Sequence, residues 1–438
     1  MLPHLQTLFD ADKTPRQVLI HAARACGEIG GSGVINLLHH RIGHPDEIIR
    51  YHILAALKAA GYKAEGIDAR VVYIRLREEL KEAIWTLYTA TLMADDERFG
   101  LLSRALQQEF SYTRRRILFL LSFLYDKDSA NQIEENILHP LAERRAYALE
   151  ILDVLLEQEF KPLVLPLFEE SSPAKQLERL LPHMPQENGD VMARYEAILT
   201  SAYRYTHAWT RACALYIAPA FENIDYSHII VEALKNNPDD PLIQETALWA
   251  LYHIAPGLYR LYTQTLNKKP DDERKTSTTI TITQTISQIE RFIKGGRKML
   301  ITVELVMLLK TVSIFAETPE DLLAEVAGLL EEEDVAAGTP IIRKGEHGDC
   351  MYIIASGEVR VHDGEHTITY LGERDVVGEM ALLDAEPRNA DVTASQDSVL
   401  LKLNQEAFYE LLSRHPEVTR GILKVLARRL RAMTQHAD

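Results

Sequence analysis

The sequence predicts a multidomain chain: an all-α array of repeated helix pairs over residues 1–266, a linker and connecting helix over 267–312, and an antiparallel β-roll with flanking helices over 313–438. Three observations predict it. Up to about residue 260, segment after segment places apolar side chains at i, i+3, i+4 and i+7. The stretch Asn267–Thr278 is polar and has almost nothing to bury. Beyond Glu332, short alternating segments punctuated by glycine take over. At 438 residues the chain is also too long for one ordinary core.

In the helical part, Pro45–Leu57 opens with a Pro-Asp turn and sets Ile49, Ile53 and Leu57 on one stripe, with Ala56 between them. Pro238–Leu251 repeats the plan with Ile243, Ala247 and Leu251, and Glu143–Leu155 is a looser copy. Small alanines let neighbouring helices approach, and leucines fill the groove. Val34–Arg41, Leu101–Phe110, Thr113–Leu124 and Arg194–Tyr205 are the candidate partner helices. These residues resemble HEAT-type repeats, in which antiparallel helix pairs stack into a solenoid. The basic run Arg114–Arg116 reads as a solvated helix face.

After the linker comes a helical stretch, Gln284–Lys310. Val335–Lys344 holds apolar residues and a Gly-Thr-Pro turn, and Gly345–Asp349 is a loop. Cys350–Gly357 is a buried strand ending in a turn. Glu358–His362 alternates, Asp363–Gly364 makes a tight hairpin turn, and His366–Leu371 returns. Short strands at regular spacing suggest a small antiparallel barrel or roll. Gln405–Arg414 and Pro416–Met433 close the chain as two helices.

Chemistry concentrates in Gly378–Val392. Gly378 lets the backbone come close to a ligand. Glu379 can accept hydrogen bonds from a sugar hydroxyl. Met380–Leu383 is a short helical turn with free N–H groups for an anion, with Ala381 inside it. Arg388 offers a guanidinium, the side chain best matched to a phosphate. Asn389 and Ala390 add backbone donors. An acid and an arginine nine positions apart suit a molecule that carries both a sugar hydroxyl and one negative charge.

This stretch resembles the phosphate-binding cassette of the protein kinase A regulatory subunits and the bacterial catabolite activators. It matches at Gly378, Glu379, Ala381, Leu382, Pro387, Arg388 and Ala390, and Gly345, Gly348, Gly357 and Gly372 fall where that β-roll turns. The resemblance implies a cyclic-nucleotide-binding domain over about 120 residues. Glu379 is then the acceptor of the ribose 2′-hydroxyl, and Arg388 the partner of the cyclic phosphate. Gly378, Ala381 and Ala390 are then the backbone contributors. Asp391 departs from the Thr or Ser of many members, and Asn389 from the Thr of cGMP-preferring ones, so cAMP is expected ahead of cGMP. The last helix takes the place of one that caps the base or pairs with a partner, which is a route to oligomers. No DNA-reading helix-turn-helix follows it.

The order of parts, with Met299–Glu304 and Leu309–Ser313 before the roll, is also similar to the soluble tail of ATP/ADP-translocase-like transporters. That similarity implies a membrane domain as partner, although no segment here spans a bilayer, since Met299–Leu309 contains Glu304 and is half the ~20 residues required.

Composition narrows the function classes. A net charge of -16 disfavours nucleic acid and anionic membrane surfaces as ligands. Cys26, Cys213 and Cys350 are few and scattered, which fits a reducing, cytoplasmic setting, at the inner membrane face if the partner is membrane-bound. No metal-ligand spacing and no catalytic constellation is legible, so no enzymatic role is expected. The expected function is nucleotide-dependent regulation relayed by the helical array to a protein partner. The rival is a protein-interaction scaffold whose roll is silent, its Glu379 and Arg388 paired with each other.

Overall fold

The computed structural model describes residues 2–11, 14–187, 189–200, 206–221, 224–238, 240–267, 286–287, 289–290, 300–384 and 386–435. The expected linker beyond Asn267, much of the Gln284–Lys310 stretch, and the end of Arg194–Tyr205 lie outside these residues. Two compact units emerge, Met1–Ile243 with Ala250–Tyr259, and Arg260–Asp438 with Gln244–Trp249.

The helices in order are α1 (Leu2–Asp10), α2 (Arg16–Ile29), α3 (Gly31–Leu38), α4 (Glu47–Ala59), α5 (Ile67–Met93), α6 (Gly100–Leu124), α7 (Lys127–Ile137), α8 (Ala142–Leu155), α9 (Lys161–Phe168), α10 (Pro173–Leu180), α11 (Val191–Leu199), α12 (Ala208–Ile217), α13 (Ser227–Asn236), α14 (Pro241–Ile254) and α15 (Pro256–Asn267). The Pro-Asp starts work as caps: Asp46 accepts from Ile48 N and Ile49 N, both at 3.0 Å, and Asp240 from Ile243 N at 3.1 Å. The predicted stripes point inward, with Ile49, Ile53, Ala56 and Leu57 all buried, as are Ile243, Ala247 and Leu251.

Two features differ from expectation. Leu101–Phe110 and Thr113–Leu124 are one continuous helix, α6. No Gly or Pro interrupts it, and its hydroxyls bond back one turn, Ser111 Oγ to Gln107 O and Thr113 Oγ1 to Glu109 O, each at 3.1 Å. The other is the Arg114–Arg116 run, which is not a solvated face. Arg116 is 1% exposed, and the Arg114 guanidinium lies over the Phe110 and Phe168 rings at 5.6 and 5.0 Å.

Arg116 belongs to a buried ion network that joins three helices. Its Nε donates to Glu79 Oε2 at 2.8 Å and its Nη2 to Glu82 Oε1 at 2.5 Å. Arg50 from α4 donates to Glu79 Oε1 at 2.8 Å and Glu82 Oε2 at 3.3 Å, and Arg75 to Glu79 Oε1 at 2.7 Å. The same contacts, with Ser103 Oγ on Ala90 O at 3.1 Å, set α5 and α6 antiparallel. Because α5 buries Arg75, Glu79 and Glu82 among its leucines, its apolar stripe is blurred in sequence.

In the second unit, eight strands form two antiparallel sheets: β1 (Glu331–Val335), β2 (Pro340–Ile342), β3 (Cys350–Ser356), β4 (Val359–Asp363), β5 (His366–Leu371), β6 (Val376–Val377), β7 (Asp391–Ala394) and β8 (Ser398–Asn404). Strand orders are β1-β8-β3-β6 and β2-β7-β4-β5. Cys350, Tyr352 and Ile354, every second residue of β3, pack with Ile342, Val359, Val377, Val392 and Leu400. Met351 and Ile353 on the opposite face are buried too, which explains the unbroken apolar run. The hairpin turn is Gly364–Glu365, one residue later than expected, because Asp363 pairs with His366. A lead-in turn, Ser313–Phe315, and the helix Glu320–Ala327 precede the roll, and the helices Gln405–Arg414 and Pro416–Gln435 follow it. Phe315 meets Phe408 edge-on, with ring centroids 5.7 Å apart. No described helix is long and apolar enough to cross a membrane.

Arg374, between β5 and β6, holds φ at +75° in a tight loop where its N–H donates to Ile354 O at 2.8 Å. A Cβ crowds this left-handed conformation. Arg374→Gly is therefore expected to stabilise the roll by about 1 kcal/mol net of glycine's entropic cost, read as a higher thermal midpoint of the full chain.

Candidate functional site

β6 runs into Gly378, whose φ of +77° turns the chain into a 3-10 turn, Glu379–Leu382. Ala381 N donates to Gly378 O at 3.1 Å, and Leu383 N and Asp384 N to Met380 O at 3.0 and 2.9 Å. The turn therefore begins at Glu379, one residue before the expected Met380–Leu383. Ala381 and Leu382 are buried and anchor it, whereas Met380 is 53% exposed. The N–H groups of Glu379 and Met380 open the turn and have no acceptor within it.

The second half of the cassette is zipped to the β2–β3 loop. Arg388 N donates to Glu346 O at 2.8 Å, Gly345 N to Arg388 O at 2.9 Å, and Gly348 N to Glu386 O at 3.4 Å, with His347 and Pro387 bridged. These bonds bring Arg388 back over the end of β3. Its Nη2 donates to Cys350 O at 2.6 Å and lies 3.7 Å from Cys350 Sγ, while Nη1 reaches Gly378 O at 3.5 Å. A Cβ on Gly348 would sit 2.4 Å from Arg388 Nε, and one on Gly378 2.2 Å from Nη1. Glycine at these two positions is thus a steric condition for the guanidinium to lie where it does.

The electrostatics follow from that geometry. Among the described residues Arg388 has no carboxylate partner, and Glu379 does not pair with it. A half-buried guanidinium with two of its five N–H groups on neutral carbonyls keeps its charge uncompensated and donors available for an anion. Burial pushes the neighbouring Cys350 thiol up, against the opposing pull of Arg388, so it stays neutral near pH 7. Asp391, the departure that could have repelled a phosphate, is occupied elsewhere. Its Oδ1 accepts from Lys344 N at 2.9 Å, a bond that holds its carboxyl below the usual range. Asn389 is exposed and Ala390 half-buried on the way into β7.

Of the predicted residues, Gly378, Glu379, Met380 and Ala381 make the turn and Arg388 is brought to Gly378, while Asn389 and Ala390 follow it towards β7. The structure adds residues the sequence did not point to. Cys350 supplies a carbonyl, and Gly348, visible in sequence only as a roll-turn glycine, makes room for the arginine. Gln405 Nε2 donates to Ala381 O and Tyr409 OH to Leu383 O, each at 2.8 Å, fastening the following helix to the cassette.

Residues 332–415 match the family described as the cyclic nucleotide-binding domain. The chain is similar to the cyclic AMP receptor protein of Thermus thermophilus, 41% identical over 106 residues, which are 23% of this chain and 49% of that protein. It is also similar to the cGMP-dependent protein kinase egl-4 of Caenorhabditis briggsae, 35% identical over 116 residues, 25% of this chain and 16% of that one. Among solved structures, the Thermus thermophilus catabolite activator protein is 30% identical, with 29% of this chain and 62% of that chain covered and a TM-score of 0.25. The chain thus spans about half or less of the length of the two curated relatives named here.

Proposed function

We propose that this protein is a regulatory binding protein that takes a cyclic nucleotide, cAMP in preference to cGMP, in the cassette Gly378–Ala390, and that its helical unit passes the bound state to a protein partner. The observation that carries this reading is Arg388, a guanidinium without a carboxylate, walled by Gly348 and Gly378 and held by Cys350 O. In this reading Arg388 neutralises the cyclic phosphate, the N–H groups of the 3-10 turn add donors, and Glu379 accepts from the ribose. The protein acts through binding rather than catalysis. Both a cAMP-named and a cGMP-named relative match, and Asn389 in place of Thr supports cAMP.

The buried stripes of α4 and α14 support a HEAT-like packing for the helical unit, and the partner in this proposal is a membrane-transporter domain of the ATP/ADP-translocase-like kind. The test is a thermal-shift and calorimetric titration of the full chain with cAMP and with cGMP. A ligand bound only by the folded state, at 100 times its Kd, adds about 2.7 kcal/mol to stability. No shift with either nucleotide at millimolar concentration would favour a scaffold with a silent roll.

A relay requires that the bound and free states differ in structure. Gln405 and Tyr409 fasten the helix Gln405–Arg414 to carbonyls of the turn, so a ligand that reshapes the turn pulls on that helix. Tyr409→Phe removes one such bond, worth about 1 kcal/mol. It should leave nucleotide affinity within a few fold while reducing the ligand-dependent change in hydrogen-exchange protection over residues 405–435. Unchanged protection differences would remove Tyr409 from the relay.

A further inference from the structure

The ion network in the helical unit does not balance. Buried together are Glu47, Glu79, Glu82 and Glu109, against Arg50, Arg75 and Arg116, each 7% exposed or less. Arg75 also contacts the half-exposed Glu78 at 2.7 Å. The guanidinium donors are distributed unevenly. Glu79 accepts from all three arginines, and both oxygens of Glu82 are taken by Arg116 and Arg50. Among the described residues Glu109 receives only neutral donors, Thr210 Oγ1 at 2.7 Å and the His207 backbone, and Glu47 Oε2 is buried with no hydrogen-bond donor. Yet oxygens of Glu47, Glu82 and Glu109 lie within 4.8 Å of one another. Three ionised carboxylates, of which only Glu82 meets guanidinium donors, cannot share so small and dry a space, because like charges at that separation in a low-dielectric interior repel by several kcal/mol.

We propose that the Glu47–Glu82–Glu109 cluster binds one proton at neutral pH, carried between Glu47 and Glu109, and that this proton makes the packing of α4 and α12 against α5 and α6 pH-responsive. The proton supplies the missing donor to Glu47 and cancels the excess negative charge in one step. A divalent cation would overshoot, adding two charges where one is missing, and would face Arg116 and Arg50, which already sit on Glu82. The groups around the cluster leave the proton to these carboxyls. Arg50 comes from α4, Arg75 and Glu79 from α5, Arg116 from α6, Thr210 from α12, and His207 from the start of α12. Burial, with the Arg16 charge, pushes His207 down to about 3, so it stays neutral, and Arg16 itself is paired with Asp46 at 2.5 Å. Burial and the neighbouring carboxylates push Glu47 well above the usual range and Glu109 up to about 8; burial, with Glu79, brings Glu82 to about 7.

The sign follows. The cluster holds a proton in the folded chain that the unfolded chain gives up above about pH 4.5, so folding is favoured at low pH and loses support from there until the cluster ionises near pH 7 to 8. Trp85 and Trp209 lie in the same helices and report the unit by fluorescence. In the full chain the tryptophan melting midpoint should fall by about 5 °C between pH 6 and pH 9. Glu47→Gln, which offers an amide N–H where the proton sat, should fold and lose most of that fall. The wild-type infrared spectrum at pH 7 should contain a carboxylic-acid C=O band that Glu47→Gln or Glu109→Gln removes. A midpoint independent of pH together with no protonated-carboxyl band would overturn the proposal. So would a midpoint that drops on chelation and returns with Mg2+ or Mn2+, because the charge would then be balanced by a metal ion. The infrared measurement on wild type decides the matter even if a variant fails to fold.

Discussion

Replacing Arg388 with alanine should weaken cAMP binding at least tenfold, measured by calorimetry on the full chain. A charge-assisted hydrogen bond contributes about 1.5–3 kcal/mol, and the variant loses the one cationic side chain that the cassette aims at an anion. The effect on folding should be far smaller. In the free protein the guanidinium donates to Cys350 O, Cys350 Sγ and Gly378 O, and Gly378 O keeps its bond from Ala381 N, so removal of the side chain costs about 1 kcal/mol. Arg388→Lys should fall between the two, since an ammonium keeps the charge and loses the fork. Unchanged affinity in Arg388→Ala would place the nucleotide elsewhere and end the cassette assignment. The loss should be seen with cAMP and cGMP alike, because the arginine reads the phosphate and not the base.

The second large effect belongs to the helical unit. Glu79→Ala should destabilise it by about 3–5 kcal/mol, the range for breaking a buried ion pair by removing one partner. Glu79 is fully buried and is the acceptor common to Arg50, Arg75 and Arg116. Its loss leaves three guanidiniums in the interior with Glu82 as their main counter-charge. Against a total stability of about 5–15 kcal/mol, that removes about a third or more of the stability of a typical unit and unfolds one at the low end of the range. Urea unfolding followed by tryptophan fluorescence measures it. Glu78→Ala, one position away but half-exposed, should change stability by under about 0.5 kcal/mol, and an equal effect of the two would refute the network as the cause. The pH dependence of Glu79 runs opposite to that of the proton-binding cluster. Burial alone would raise its carboxyl, but Arg116, Arg50 and Arg75 hold it down at about 2. Its contribution is therefore present above the unfolded value near 4.5 and is lost as pH falls through about 2.

Where sequence and structure agree, local physics decides. The caps at Asp46 and Asp240 act within three residues, so Pro-Asp before an apolar stripe is legible on its own. The strand from Cys350 and the hairpin returning at His366 are legible for the same reason, through short-period burial and a glycine turn. Where they part, the missing term is long-range. β1 is Glu-Glu-Glu-Asp-Val, a poor strand by composition that exists because β8 supplies its ladder from Glu331 opposite Lys402 to Val335 opposite Ser398. The 27-residue α5 is hard to see because its charged residues lie on the buried side.

The sequence by itself determined that Gly378, Glu379 and Arg388 fall within one short stretch, whose residue types and spacing suit a sugar hydroxyl and a single phosphate charge. Only the tertiary structure decided how that chemistry is held. The Arg388 guanidinium stays available for an anion because it rests on the carbonyls of Cys350 and Gly378 and pairs with no carboxylate among the described residues. Asp391 is harmless because Lys344 N, 47 positions earlier, ties it down. Arg116 is an interior residue because Glu79 and Glu82, more than thirty positions earlier, meet it inside the helical unit. A charge written in sequence carries no sign of its partner. Whether it is solvated, paired or left free for a ligand depends on groups that only folding brings within a few ångströms.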